Sequence, residues 1–190
     1  MKKIGTSVFG SLFLIFLTIA CTDSTDLFQE DSDDWEMFGD AQWGFSEAVL
    51  TAKSKNGSGF VMTKKTYKDF VLKLEFQPDS TINSGVFIRC SKKELSATDC
   101  HEINIWDLHP NQEYRTGAIV TKAIPLNHVE TLNQWNTYKI KAENDRIQVW
   151  VNNMLTADSK YEYPREGFIG LQAMGTGEIS FRNVTLSRIE

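Results

Sequence analysis

Along residues 69 to 89, DFVLKLEFQPDSTINSGVFIR, apolar and polar positions alternate with a period of two. Phe70, Leu72, Leu74 and Phe76 are interleaved with Val71, Lys73, Glu75 and Gln77, the pattern of a strand with one buried face. Pro78 and the DSTINSG stretch read as a polar turn, with Asn83, Ser84 and Gly85 inside it. A second strand follows, in which Val86, Ile88 and Cys90 alternate with Phe87 and Arg89. The alternation predicts that Phe87 and Arg89 leave this sheet together on the face opposite the aliphatic one, a combination suited to a polar ligand.

Further runs of the same kind recur between turn signals. They are HEINIWD at 101 to 107, GAIV at 117 to 120, WNTYKIKA at 135 to 142, RIQVWV at 146 to 151, GFIGLQA at 167 to 173 and EISFRNVTLSRI at 178 to 189. Asn144-Asp145 and Asn152-Asn153 supply turns. No stretch shows the period of a long amphipathic helix. The chain is therefore expected to be all-β, a sandwich or jelly roll of two antiparallel sheets. Facing follows from the same alternation. Ile103, Ile105, Ile147, Val149, Val151, Ile169 and Leu171 point inward, and Trp35, Trp43 and Trp135 are expected to join the core. If the strands share one sheet, its open face gathers Arg89, Glu102, Asn104, Trp106, Trp150 and Gln172. Rings that stack on sugar faces beside planar groups that bond to hydroxyls make this a candidate carbohydrate surface.

Composition narrows the partners. The 190 residues carry a net charge of -5 without any basic run, which argues against a nucleic acid partner. At the N-terminus, Lys2 and Lys3 precede an apolar run from about Val8 to Ile19 that is short for a membrane span. LTIAC, ending at Cys21, resembles a bacterial lipobox with Thr18 in the place usually held by leucine. Residues 1 to 21 are thus read as a lipoprotein signal with Cys21 as the lipidation site, which would anchor the protein to a membrane of the cell envelope, facing the periplasm or the outside. Residues 22 to 34 are acidic and without periodicity and read as a tether, with a single domain over 35 to 190. The remaining cysteines, Cys90 and Cys100, bracket a polar loop and are a plausible disulfide pair for an exported protein.

The ordered stretches YKDFVLKLEF, NSGVFIR, HEINIWD followed by TGAIV, QWNTYKIKAENDRIQVWVNN and GFIGLQAMGTGEISFRNVTL resemble the 3-keto-disaccharide hydrolase domain family. The resemblance implies a concanavalin A-like jelly roll, often with a lipoprotein signal. The family pattern usually has Glu-x-Gln with a following Asp; here it reads Glu102, Asn104 and Asp107, with one amide shortened by a methylene. The implied chemistry is elimination across C1 and C2 of a 3-keto glycoside followed by hydration. That needs a base near C2, a cation or donor for the enolate, and an acid for the leaving oxygen. Glu102, Asp107, His101 and His109 are candidate bases. Arg89 or a divalent cation is the candidate enolate partner, with the ligands of any such metal unspecified. Tyr114 or His109 is the candidate acid. Asn83, Asn104, Trp106, Tyr114, Trp150 and Gln172 are candidate substrate contacts.

Other classes compete. A carbohydrate-binding module would keep the surface and lack turnover. A conventional glycosidase would need two carboxylates across a cleft, for which Glu102 and Asp107 are the near pair in sequence. An envelope interaction protein would show an exposed apolar patch instead. His109 and His128 lie in loops and can equally be surface histidines, and Arg182-Asn183 can equally brace the last strand.

Overall fold

The computed structural model describes residues 24–28 and 34–189. Eleven antiparallel strands form one continuous hydrogen-bonded system: β1 (Ser24–Asp26), β2 (Trp35–Gly39), β3 (Gln42–Ser46), β4 (Val49–Thr63), β5 (Phe70–Pro78), β6 (Ile82–Cys90), β7 (His101–Ile105), β8 (Asn136–Glu143), β9 (Arg146–Val151), β10 (Met154–Lys160) and β11 (Phe168–Arg188). The only helical element among the described residues is a 3-10 turn at Gln112–Tyr114.

Two layers arise because β4 and β11 run through both. The first half of β11, Phe168 to Gly175, pairs with β6 and with the second half of β4, while its second half pairs with β5 and the first half of β4. Their mutual register slips between Gly175 and Thr176, opposite Asn56, whose φ is +56. One extra residue there bends the pair from one layer into the other. The first layer runs β10-β9-β8-β5-β11, with β4 and β3 beyond, and the second runs β7-β6-β11-β4-β2. The apolar alternation supplies the filling: Phe70, Leu72, Leu74, Phe76, Ile140, Val149 and Phe181 from the first layer meet Val61, Val86, Ile88, Ile103, Ile105, Ile169 and Leu171 from the second.

Some strands run further than their sequence pattern. Asn83 to Gly85 lie within β6, not in a turn; the turn is Asp79 to Thr81, where Asp79 Oδ1 accepts from Thr81 N at 2.7 Å and Ile82 N at 2.8 Å. The runs at 167 to 173 and 178 to 189 are one strand. GAIV makes only isolated bridges, Ile103 with Ile119 and Ile119 with Ala123, and lies along β7 where it covers that sheet edge. The tether is shorter than expected. Ser24–Asp26 pairs with Thr185 to Ser187, and Leu27 and Phe28 are buried beside Trp35, because two apolar side chains in the middle of the acidic stretch find core to occupy. Residues 29 to 33, and Cys21 with its signal segment, lie outside the described residues.

Candidate functional site

The outer face of the second layer carries the site, and strand register builds it. Gln172 on β11 pairs with Gly85 on β6, and Gly85 pairs with Asn104 on β7, so these three positions form one row across three strands on the same face. The adjoining row is Gly170, Phe87 and Glu102. Gly85 matters for space: a Cβ there would press against Ile103 O and the Phe87 ring at 3.3 Å each.

Asn104 is held from behind. Its backbone N–H donates to Ala118 O and its carbonyl accepts from Gly117 N, while its side-chain Nδ2 donates to Tyr114 O. That last bond fixes the amide so that Oδ1 is the free end. Asn104 Oδ1 and Gln172 Oε1 are both buried, and neither has a hydrogen-bond donor among the described residues. Buried acceptors are almost always paired, so two in one row mark a surface built to be completed by something else.

Glu102, two positions along β7 from Asn104, carries no side-chain hydrogen bond among the described residues. Burial pushes its carboxyl up to about 7, partly offset by the positive charge of Lys122. A carboxylate poised near neutrality can take and return a proton. Lys122, which sequence reasoning did not single out, donates to Cys100 O at 2.6 Å and to His101 Nδ1 at 3.1 Å. Burial holds its ammonium below its usual range, and Glu102 works against that shift. Nothing in the local pattern TKA announces it; its role depends on the 117 to 123 segment folding back along β7.

Beyond Asn104 the rim is aromatic. His109 meets Trp106 edge-on with ring centres 4.5 Å apart and Tyr114 at 5.6 Å. His109 Nδ1 is engaged with the backbone of Asn111, 3.0 Å from its N and 2.8 Å from its O. Asn83, on the same face of β6, has its Nδ2 3.8 Å from Met174 Sδ.

Four sequence-based candidates lie elsewhere. Arg89 is fully buried and braces the end of the sandwich: Nε donates to Lys68 O, Nη1 to Asn144 O and Nη2 to Asp69 Oδ1, each at 2.9 Å. The cause is a bulge. Phe168 pairs with Cys90 and Gly170 with Phe87, so Ile88 and Arg89 oppose the single residue Ile169, and Arg89 takes φ +53. Asp107 is also buried, its oxygens accepting from Thr131 N at 2.6 Å and Thr131 Oγ1 at 2.9 Å. With both oxygens taken up by Thr131, Asp107 is not free to act as the second carboxylate that the sequence offered beside Glu102 for a conventional glycosidase pair. His101 is fully bonded, between Lys122 Nζ and Pro164 O, and burial lowers it to about 4, so it is neutral and without a free nitrogen. Trp150 belongs to β9 in the other layer, where Lys139 Nζ lies 4.5 Å from its ring centre. Trp135 likewise is no core residue; the Arg182 guanidinium covers it at 3.9 Å.

One end of the face is roofed. Cys90 and Cys100 form a disulfide that closes the 91 to 99 loop, and Leu95 packs with Met62, Phe87 and Phe168 beneath it. Among the described residues no three His, Cys, Asp or Glu side chains gather where a metal ion could sit. The oxygens of Glu102, Asn104 and Gln172 are nevertheless hard donors of the type that suits an oxygen-preferring divalent cation.

Among solved structures, the chain resembles two candidate glycosyl hydrolases from Parabacteroides distasonis. One is 24% identical with a TM-score of 0.75 over 88% of this chain and 100% of the other. The second is 16% identical with a TM-score of 0.71 over 83% and 89%. A carbohydrate-binding module from Bacillus subtilis is 18% identical with a TM-score of 0.63 over 81% and 95%. These likenesses establish the jelly-roll type of fold. No curated protein matches the sequence. The model of the 3-keto-alpha-glucoside-1,2-lyase-like domain matches residues 23–187, which takes in β1 and every strand of the site, and the chain belongs to that family.

Proposed function

We propose that this domain cleaves 3-keto glycosides by elimination, with Glu102 as the base, and that Cys21 anchors it by lipid to the cell envelope. The observation that carries the catalytic reading is Glu102 itself. It is a carboxyl raised by burial to about 7, without a hydrogen bond among the described residues, next to a row of unsatisfied amide oxygens. A ketone at C3 acidifies the C2 proton. Glu102 removes that proton, the C2–H electron pair becomes the C1=C2 double bond, and the C1–O bond breaks. The leaving oxygen takes a proton at the aromatic rim, where His109 and Tyr114 sit. Water then adds at C1 to complete a hydrolysis. Negative charge builds on O3 as the C2 proton leaves; Lys122 replaces Arg89 as the protein cation nearest in effect to this chemistry.

The test is incubation of the domain, freed of its signal segment, with a 3-keto aryl glucoside and with its unoxidised parent. Release of the aryl alcohol from the keto sugar alone supports the elimination. Equal release from both, or from neither, rejects it. The similarity to a carbohydrate-binding module supports a second reading, a binding domain without turnover, which predicts sugar binding with no release. The anchor is tested by labelling with a palmitate analogue, which should be lost in Cys21→Ser.

A further inference from the structure

Among the described residues, Asn104 and Gln172 present two buried acceptors without a donor in one row of the site. Asn104 is 2% and Gln172 9% exposed, yet Asn104 Oδ1 and Gln172 Oε1 have no donor. Each is an acceptor only, and the Asn104 amide cannot turn over without losing Tyr114 O. The two positions flank Gly85 in register, so their Cα atoms stand two strand spacings apart, roughly 10 Å, with no side chain between them. A single pyranose ring can bridge the gap between the two amides, and what it must bring is O–H groups.

A 3-keto sugar restricts which ones. Its C3 oxygen carries no hydrogen and cannot satisfy either amide, whereas the hydroxyls on C2 and C4, on both sides of the ketone, can. Resting on the lyase reading above, we propose that Asn104 Oδ1 accepts from the C2 hydroxyl and Gln172 Oε1 from the C4 hydroxyl, so that the site selects a 3-keto ring with both hydroxyls free. The assignment follows from Glu102, which shares β7 with Asn104 and has to reach the C2 proton. Gln172 lies on the far side of Gly85 from both. The pair therefore orients the ring about its ketone and excludes sugars substituted at C4.

The experiment compares 4-nitrophenyl 3-keto-glucoside with its 2-deoxy and 4-deoxy counterparts on the wild-type domain and on Gln172→Met. Methionine keeps the length of the side chain and removes the acceptor. On the wild type, the 4-deoxy sugar should lose about 10- to 100-fold in kcat/KM. In Gln172→Met that discrimination should vanish, while the wild-type ratio between the 2-deoxy and parent sugars persists. The melting temperature should stay level or rise, since the folded state has lost an acceptor that had no partner. Wild-type turnover indifferent to the C4 hydroxyl overturns the acceptor pair and leaves the lyase reading intact. So does a Gln172→Met variant that still discriminates, or one whose activity returns with excess magnesium, because the amide would then be a metal ligand. Binding that still depends on the C4 hydroxyl, with no turnover of any of the three sugars, sinks the lyase reading and leaves the acceptor pair standing.

Discussion

The Tyr138 hydroxyl, rising from β8 in the first layer, crosses the core to donate to the backbone carbonyl of Asn104 at 2.5 Å and accepts from Gly117 N at 3.0 Å. The floor of the site is thereby tied to the opposite sheet. Tyr138 is fully enclosed, and burial drives its hydroxyl far above the usual tyrosine range, so it stays a neutral donor at any working pH.

Tyr138→Phe should therefore loosen the site from beneath. Losing a buried bond of this kind costs about 1 to 2 kcal/mol, roughly 2 to 8 °C in Tm for a chain of this size. Turnover should fall further than that of a surface variant of equal stability, because Asn104 loses its support. Thermal melts paired with kinetics on a 3-keto aryl glucoside decide this; unchanged values of both would show that the cross-core bond is idle.

Glu102→Gln should lower turnover by roughly 10² to 10⁴ with the fold intact. The pH dependence has a definite sign. The carboxyl titrates at about 7 when folded and near 4.5 when unfolded, so between those values the folded chain holds the extra proton. Stability from this group is present below about 4.5 and is lost as pH rises through 7. Activity moves the other way, rising through 7 as the base ionises. Wild-type Tm should thus decline between pH 5 and 8 more steeply than that of Glu102→Gln, and identical slopes would remove Glu102 from the account.

Lys122 lowers the Glu102 titration against the pull of burial. In Lys122→Met the rising limb of the pH–rate profile should move above 7, and Lys122→Arg should hold it near the wild-type position. A profile that stays in place in Lys122→Met would mean that the ammonium only ties Cys100 O and His101 Nδ1 together.

Arg89→Met should damage stability instead of chemistry. It removes a buried guanidinium with three acceptors and leaves Asp69, whose side chain is 19% exposed, with the Asn144 N–H but without its cation, a loss of about 3 to 5 kcal/mol. Urea unfolding should register it, while kcat at a temperature where the variant is folded should remain within a few-fold of wild type. A catalytic collapse with unchanged unfolding would restore Arg89 to the site.

Strand alternation was enough to specify the all-β class and the inward set from Phe70 to Phe76, with Ile103, Ile105, Ile147, Val149, Ile169 and Leu171, because side-chain direction repeats every two residues whatever the partner strand. The same local rule placed Glu102, Asn104 and Gln172 on the outer side of their strands, with Trp106 just past the end of β7, and the ordered motifs were sufficient to point to the family. Three outcomes lay beyond it. Which layer a strand joins depends on pairing with distant segments, and so Trp150, on the correct side of its own strand, went to the opposite face of the sandwich. A bulge breaks the alternation without a local signature, since the extra residue is defined only against the partner strand; that turned Arg89 inward. Asp107 and Lys122 took their roles from loops folding back on β7, Thr131 claiming one and the backbone of Cys100 the other. Local chemistry determined which groups could form a site, and long-range pairing decided which of them met.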